Sequence, residues 1–180
     1  QQQKRCAINF FGLPRAFKAL VLPSIVKNVI EVNSACDYYI HYYYKTEEDA
    51  GRSGQGGSID PNEIQLLRKE VEKYHGDRSI VEFTFDTEED FWKRYEALVQ
   101  TIRTTKVDSK YLYFPWRART YHHPVTTDNI VKMWHSIQSA WQLMEHGAKE
   151  HGIYYNTVAM LRSDVVYLTP IDLTERSQDV

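Results

Sequence analysis

Short apolar segments alternate along this chain with segments of helical character, and this alternation limits the possible folds more than any other feature. Strand-like segments occupy residues 6–12, 36–44, 79–86 and 156–168, and helical segments occupy residues 17–33, 60–75, 87–104 and 127–151. Strands separated by helices imply parallel pairing, with helices on both faces of the sheet. We therefore predict an α/β fold, a Rossmann-like three-layer sandwich with a mostly parallel sheet.

Composition agrees with a single folded domain over residues 1–180. Hydrophobic residues make up 42% and charged residues 26% of the 180 residues, as is usual for globular proteins. The formal net charge of −2 provides no positive field for nucleic acid or an anionic membrane. No apolar run is long enough to cross a bilayer. We expect neither a nucleic-acid partner nor a membrane span in this chain.

Two segments have unusual compositions. Residues 46–60 are rich in acidic residues, glycine and serine, and we predict a flexible loop within the domain, because such a stretch buries too little to offset its chain entropy. The tract from Tyr111 to Pro124 interleaves arginines with aromatic residues. Such a tract binds single-stranded nucleic acid, lines a saccharide or nucleotide pocket, or packs as a loop; the acidic balance disfavours the first.

Cys6 and Cys36 each begin a predicted strand. They form a disulfide if those strands are neighbours, and otherwise they are buried free thiols, which we favour because two cysteines do not make a disulfide framework.

The clearest helix follows the aromatic tract. Thr126 or Thr127 caps it and Gly152 ends it. Apolar residues recur at helical spacing and predict the buried face: Ile130, Met133, Trp134, Ile137, Ala140, Trp141, Met144 and Ala148.

Ligands of parallel α/β sheets bind at the carboxyl ends of the strands, so residues there are the candidate site. Gly12 directly follows the first strand, and Arg15 comes three residues later. The glycine permits close backbone approach and the arginine pairs with a diphosphate, although a plain turn with a surface arginine has the same spacing. His41 lies near the end of the second strand and either hydrogen-bonds a nucleotide or sugar or is satisfied within the fold.

The segment Val158–Tyr167 is predicted to be a buried strand that contains Arg162 and Asp164. Charged groups inside an apolar strand are costly to bury without a purpose. Either they form an internal ion pair, or Arg162 contacts phosphate while Asp164 binds a divalent cation or a sugar hydroxyl.

Several other classes of site are disfavoured. The chain lacks a Gly-x-Gly-x-x-Gly fingerprint, a Walker phosphate loop and a Gly-x-Ser-x-Gly elbow. Its histidines do not follow the spacing of a zinc site: His122 and His123 have no partner nearby, and His146 and His151 do not share a helical face.

Taken in order, these motifs resemble a family of GT-A-like glycosyltransferases of polysaccharide or lipopolysaccharide synthesis. The matching features are Gly12-Leu13-Pro14-Arg15, Asp37-Tyr38-Tyr39-Ile40-His41, the helix from Asn129 to Trp134, and Arg162-Ser163-Asp164. The resemblance covers nearly the whole chain, and its specificity lies in the order and spacing of motifs that are individually weak.

The resemblance implies transfer of a sugar from a nucleotide-sugar donor to a glycan or lipid-linked acceptor. It implies a donor site formed by Gly12, Arg15, His41, Asn129, Arg162 and Asp164. In the wider GT-A pattern this strand ends in Asp-x-Asp, which holds Mn²⁺ or Mg²⁺ on the diphosphate. Here Arg162 replaces the first aspartate, so we expect Asp164 as the remaining metal ligand and a weaker need for metal.

The resemblance also leaves points open. GT-A enzymes continue well beyond this strand, so we expect the chain to be an N-terminal fragment, a truncated chain or a minimal family member, and the catalytic base is unassigned. The compartment follows the source: the Golgi or endoplasmic-reticulum lumen for a eukaryotic chain that lacks its anchor, otherwise the cytoplasm. Competing interpretations are a non-catalytic GT-A-like module that binds nucleotide, glycan or a partner, and a Rossmann-like nucleotide-binding domain of another enzyme.

Overall fold

A computed structural model of the protein describes residues 5–50, 56–112 and 124–173. Its strands are β1 (Arg5–Gly12), β2 (Cys36–Tyr43), β3 (Glu47–Glu48), β4 (Gly57–Ser58), β5 (Val81–Asp86), β6 (Lys106–Val107), β7 (Lys110–Tyr111) and β8 (Tyr155–Arg162). Its α-helices are α1 (Leu22–Ile25), α2 (Leu66–His75), α3 (Glu88–Thr104) and α4 (Val125–His151).

The central sheet contains four strands, all parallel, in the order β5-β2-β1-β8. This confirms the predicted α/β class with a parallel, Rossmann-like sheet. The chain builds outward from β1 through β2 to β5 and then returns to place β8 on the other side of β1. The order of strands therefore reverses between β1 and β8, and this is where open α/β sheets form a ligand crevice at their carboxyl edge.

Helical segments cover both faces of the sheet. Alternate strand residues point to opposite faces, and the apolar side chains on each face are buried against helices. Ile8, Phe10 and Ile40 pack with the segment 17–30 and with α2 in the larger core. On the other face, Tyr39 packs against Met144 of α4, and Tyr43 packs against Phe91 of α3.

Proline shapes the first helical segment. It consists of one α-helical turn, α1, between two wider π-helical turns at Phe17–Val21 and Val26–Ile30. Pro23 lies in the first turn of α1 and lacks the amide proton that a regular continuous helix would use there. The helix predicted for residues 17–33 is therefore present but interrupted.

The next two helices start at side-chain caps. Asp60 accepts a hydrogen bond from the Asn62 amide and begins a 3₁₀ turn, Pro61–Gln65, that leads into α2. Thr87 and Asp90 form a reciprocal capping box at the start of α3. Both caps satisfy amides that a helix start leaves free.

α4 differs from the prediction at its start and in its buried face. It begins at Val125 after Pro124, and no side chain of the described residues caps it. Thr126 and Thr127 therefore lie inside the helix and not at the cap position expected for one of them. Trp134 and Trp141 are 61% and 41% exposed. Ala140 and Met144 of the predicted face are buried, as expected, and the other buried residues of α4 are Thr127, Asp128, His135, Ser136 and Gly147. The buried face of α4 therefore carries mostly polar and small residues.

The last strand is shorter than predicted. β8 ends at Arg162, and Ser163 and Asp164 form a turn instead of continuing the strand to residue 168. Ser163 fastens this turn to β1, because its amide and its hydroxyl both donate to the carbonyl oxygen of Phe11, at 3.0 and 3.1 Å. The turn places Asp164 beside the end of β1.

The two cysteines form a disulfide, against the expectation of free thiols. Cys6 and Cys36 are register partners in β1 and β2, and their Cα atoms are 4.4 Å apart. The sequence offered no evidence that these two strands are adjacent, and adjacency brings the side chains into bonding range.

The loop predicted for residues 46–60 contains a short antiparallel ladder in which Glu47 pairs with Ser58 and Glu48 with Gly57. Its flexibility stays a prediction, and residues 51–55 lie outside the described ranges. Most of the aromatic tract, residues 113–123, also lies outside them. Over the described part of the chain, no helix has the length and apolar character needed to cross a membrane.

Candidate functional site

A cavity of about 540 Å³ opens at the carboxyl edge of the sheet beside the switch between β1 and β8. This volume is within the usual range for small-molecule sites. Five of the six predicted site residues line it: Gly12, Arg15, Asn129, Arg162 and Asp164. His41 is the exception.

Gly12 forms the base of the cavity at the end of β1. Its φ of +111° is accessible mainly to glycine, so a residue with a side chain would adopt this backbone conformation only under strain. The Gly12 amide donates to the hydroxyl of Ser136 on α4, 3.0 Å away. The Arg15 amide then donates to the Leu13 carbonyl at 2.9 Å, which closes a tight turn and directs Arg15 back toward the cavity.

Asp164 lies between two arginines on the cavity wall. Arg15 Nη1 donates to its Oδ2 at 2.8 Å, and Arg162 donates to both carboxylate oxygens, also at 2.8 Å. The Asp164 side chain is only 5% exposed, whereas that of Arg162 is 48% exposed. The internal ion pair that the sequence left open is therefore present, and the Arg162 guanidinium still reaches solvent.

Arg15 has a second acidic partner. Its Nε and Nη2 form a bidentate pair with the Glu48 carboxylate, which comes from β3. Burial acts to lower the pKa of Arg15, but the hydrogen bonds to Glu48 and the charges of Glu48 and Asp164 outweigh it and raise the pKa. Arg15 therefore remains positively charged, and the Glu48 carboxylate covers the edge of its guanidinium that carries Nε and Nη2.

Two lysines that share one carboxylate also line the cavity. Lys132 of α4 is 2.6 Å from Glu88 Oε1, and Lys45 is 3.5 Å from the same oxygen. Burial acts to raise the pKa of Glu88, but its hydrogen bond with Lys132 and the lysine charges lower it. The cavity is therefore lined by four cations and three carboxylates, counting Arg15, Lys45, Lys132 and Arg162 against Glu48, Glu88 and Asp164.

Asn129 lies one helical turn before Met133 on α4, and both residues line the cavity. Asn129 is exposed, so its amide is accessible to a ligand. The first turns of α4 and the end of β1 line the same cavity.

His41 is buried behind the cavity rather than in its wall. The residue is 1% exposed, and its Nδ1 is 2.7 Å from Ser136 Oγ. Its Nε2 is 3.1 Å from Asp86 Oδ2, and His135 Nε2 is 2.6 Å from the same oxygen. Burial lowers the pKa of His41 to about 4, despite the neighbouring Asp86 carboxylate. His41 is therefore neutral at neutral pH and has no direct contact with the cavity.

Sequence patterns did not single out Lys45, Glu48, Glu88 or Lys132. Glu48 and Lys45 belong to a segment that reads as a solvated loop, and Lys132 is one of several polar residues on α4. These residues meet only because β3 and α4 both approach the carboxyl edge of the sheet. No periodicity or motif in the sequence carries that information.

The residues of the cavity fit a GT-A-type divalent cation poorly. A hard cation needs free carboxylate oxygens, but both oxygens of Asp164 already accept hydrogen bonds from guanidinium groups. Glu48 and Glu88 are likewise paired with cations. Among the described residues, the group with metal-ligating geometry is His41, Asp86 and His135, outside the cavity.

Comparison of the chain with protein-family models, with curated proteins and with solved structures finds no match.

Proposed function

We propose that this protein is a nucleotide-sugar-dependent glycosyltransferase of GT-A-like fold that binds the donor diphosphate in the cavity between β1 and β8. The acceptor class we propose is a glycan or a lipid-linked sugar. One observation supports the donor site above all: two guanidinium groups, from Arg15 and Arg162, converge on Asp164 at the topological switch point of a parallel sheet.

The convergence matters because a diphosphate needs several directed donors. Asp164 fixes both guanidinium planes, so little side-chain entropy is lost when phosphate oxygens bind their remaining N–H groups. The side chains of Arg15 and Arg162 are 29% and 48% exposed, which leaves donors available on the cavity side. Asp164 in this account is a positioning residue for the arginines.

Glu48 occupies the place at Arg15 that a phosphate would take. A carboxylate and a phosphate present similar pairs of oxygens to a guanidinium. Donor binding would therefore displace Glu48, and the short β3–β4 ladder that carries it would move with it. Lys45 and Lys132, which also line the cavity, supply further positive charge for the second phosphate or for the leaving nucleotide.

A role for Mn²⁺ or Mg²⁺ stays an expectation from the resemblance. The pairing of Asp164 with two arginines favours neutralisation of the diphosphate by guanidinium groups, so we expect nucleotide affinity to depend weakly on added Mn²⁺.

A second candidate is a non-catalytic nucleotide-binding or glycan-binding module. It is favoured by the state of the cavity carboxylates, since Glu48, Glu88 and Asp164 each contact a cation in the part of the chain that the structure describes. A carboxylate held in that way is a poor general base. Binding without turnover would support this candidate.

Calorimetric titration of the full chain with UDP and GDP, with and without Mn²⁺, tests the donor site. We expect one of them to bind, and Arg162→Gln to weaken it at least about tenfold, equivalent to about 1.4 kcal/mol. Asp164 keeps its contact with Arg15 in that variant, so the fold should survive. Arg68→Gln, an exposed arginine of α2, is the matched control. Absence of binding by the wild-type chain would contradict the proposal.

Release of sugar from the matching nucleotide-sugar donor then separates the two candidates. Slow turnover that Asp164→Asn abolishes while the fold is retained supports the transferase. Tight binding of the donor without any turnover supports the module.

A further inference from the structure

Three potential metal ligands from distant parts of the chain meet behind the cavity. His41 comes from β2, Asp86 from the end of β5 and His135 from α4. Their ligand atoms, one from each residue, all lie within 4.8 Å of one another. The two Nε2 atoms are 3.1 and 2.6 Å from the same carboxylate oxygen.

We propose that His41, Asp86 and His135 bind one divalent transition-metal ion of the zinc type. Two imidazole nitrogens and one carboxylate oxygen suit zinc, cobalt or iron better than magnesium or calcium. This site is separate from the proposed donor site and does not depend on it.

Modest shifts of the side chains would let the cluster accept such an ion. Zinc–nitrogen and zinc–oxygen bonds are about 2.0–2.2 Å, so tetrahedral ligand atoms lie roughly 3.3 Å apart. The distance from His41 Nε2 to Asp86 Oδ2 already matches, and that from His135 Nε2 needs to widen by less than about 1 Å. The ligand nitrogens of the two histidines lie within 4.8 Å of each other and need to approach by at most about 1.5 Å. Ser139 Oγ, 3.4 Å from His135 Nε2, borders the fourth position.

Ser136 provides the outer support that a metal-bound histidine requires. With Nε2 of His41 on a metal, its proton resides on Nδ1 and donates to Ser136 Oγ, 2.7 Å away. The Ser136 hydroxyl then donates to the His41 carbonyl oxygen, 3.4 Å away, and still accepts from the Gly12 amide. Every hydrogen bond of Ser136 is thus retained after His41 changes tautomer.

His135 lies among aromatic rings and lacks the outer support that Ser136 gives to His41. Its Nδ1 is buried and has no hydrogen-bond partner among the described residues. The neighbouring rings are those of Tyr95 at 4.8 Å, Phe91 at 5.8 Å and Tyr43 at 6.4 Å between centroids. These rings would limit access of water to a metal bound at Nε2.

Arg94 is the charged group that opposes a cation here. Its Nη2 is 3.5 Å from Asp86 Oδ1, the other oxygen of the carboxylate, and its side chain is 53% exposed. It can therefore swing into solvent when a metal binds. Removal of its charge by Arg94→Gln should tighten metal binding several-fold.

The test is titration of the full chain, purified in chelator and freed of nucleotide, with Zn²⁺ by calorimetry and with Co²⁺ by visible absorption. We expect one equivalent to bind, a visible Co²⁺ spectrum of four-coordinate type, and an X-ray absorption fine structure with imidazole but no sulfur scattering. His135→Gln should weaken binding at least tenfold, and Asp86→Asn similarly. His146→Gln, an exposed histidine of the same helix, should bind as wild type.

Three results would overturn the proposal: no stoichiometric binding by the wild-type chain, unchanged binding by folded His135→Gln, or loss of binding in a variant with both His122→Gln and His123→Gln. If His135→Gln fails to fold, two other measurements test the site: the X-ray absorption fine structure of the wild-type chain and the Zn²⁺ affinity of Arg94→Gln. A fine structure without imidazole ligands contradicts the site. Because Arg162→Gln should leave Zn²⁺ binding unchanged, failure here and failure of the donor site are distinguishable.

Discussion

The carboxylate of Asp164 accepts hydrogen bonds from Arg162 through both of its oxygens, each 2.8 Å long, although the two residues are separated by only one position. This geometry is possible because β8 ends at Arg162 and the chain turns. In a continued strand the two side chains would stand side by side on one face. The Arg-x-Asp motif therefore acts as a fixed pair, and the proposed donor site rests on that pair.

Glu48→Gln should increase the affinity of the protein for a nucleoside diphosphate. The substitution removes the charge that competes with phosphate for Arg15 and keeps the shape of the side chain. We expect a gain of about 1 kcal/mol, roughly fivefold, measured by calorimetry. Glu47→Gln, an exposed neighbour on β3, is the control and should have no effect. Weaker binding in Glu48→Gln would show that Glu48 contacts the ligand rather than competing with it.

Gly147→Ala should destabilise the fold although alanine favours helices. A Cβ at this position would lie 2.7 Å from Cε1 and 2.8 Å from the hydroxyl of Tyr39. Tyr39 is fully buried and its hydroxyl is hydrogen-bonded to Tyr155, so it has little freedom to move. Overpacking of roughly 1–3 kcal/mol should exceed the helix-propensity gain of about 1 kcal/mol.

Urea denaturation measures this difference, with Glu145→Ala, at an exposed position of the same helix, as the reference. A Gly147→Ala variant more stable than Glu145→Ala would mean that α4 does not approach β2 this closely.

Loss of the Cys6–Cys36 disulfide should lower the free energy of unfolding. The two cysteines are 30 residues apart, and closing such a loop restricts the unfolded chain by roughly 3–4 kcal/mol. We expect the denaturation midpoint in urea to fall on reduction, and a Cys6→Ser, Cys36→Ser variant to match the reduced protein. Equal midpoints for the oxidised and reduced forms would contradict the bridge.

Protonation of His75 should destabilise the protein below about pH 6.5. Burial lowers the pKa of His75 in the fold, where the neutral ring donates from Nε2 to the Ile30 carbonyl, 2.9 Å away. Between the lowered pKa and the ordinary value near 6.5 the unfolded chain binds the extra proton, so stability falls as the pH falls, by at most about 1.4 kcal/mol per pH unit.

Chemical denaturation at pH 7.5, 6.5, 5.5 and 5.0 measures this slope. His75→Gln keeps a donor for Ile30 and should show a shallower decline than the wild-type chain. A wild-type stability that is constant or rises as the pH falls from 6.5 to 5.0 would be inconsistent with a neutral, buried His75.

Local patterns were sufficient to predict the class of fold. Strand-like composition and the glycine at 152 locate elements because they act over a few residues. The buried face of α4 was mispredicted for a related reason: Trp134 and Trp141 share the helical period of Ala140 and Met144, and only the position of the sheet selects one side. The Cys6–Cys36 bridge also depends on strand order, which no local pattern contains.

Only some residues of the candidate site were predictable from local patterns. Gly12, Arg15, Arg162 and Asp164 were found because they follow strands whose ends meet at one edge of the sheet. Glu48 and Lys132 reach that edge from segments without a recognisable motif. The His41–Asp86–His135 cluster joins positions 94 residues apart at its extremes, and its residues do not follow a zinc-type spacing in the sequence.

The central claim is that Arg15 and Arg162 bind a diphosphate. The most direct test measures the affinity of the best-binding nucleoside diphosphate and that of its parent nucleoside. Both affinities are measured in the wild-type chain and in Arg162→Gln. We predict that the wild-type chain prefers the diphosphate by about tenfold or more and that Arg162→Gln loses most of this preference while it binds the nucleoside as before. Equal wild-type affinity for the two ligands, or an unchanged preference in Arg162→Gln, would contradict the account.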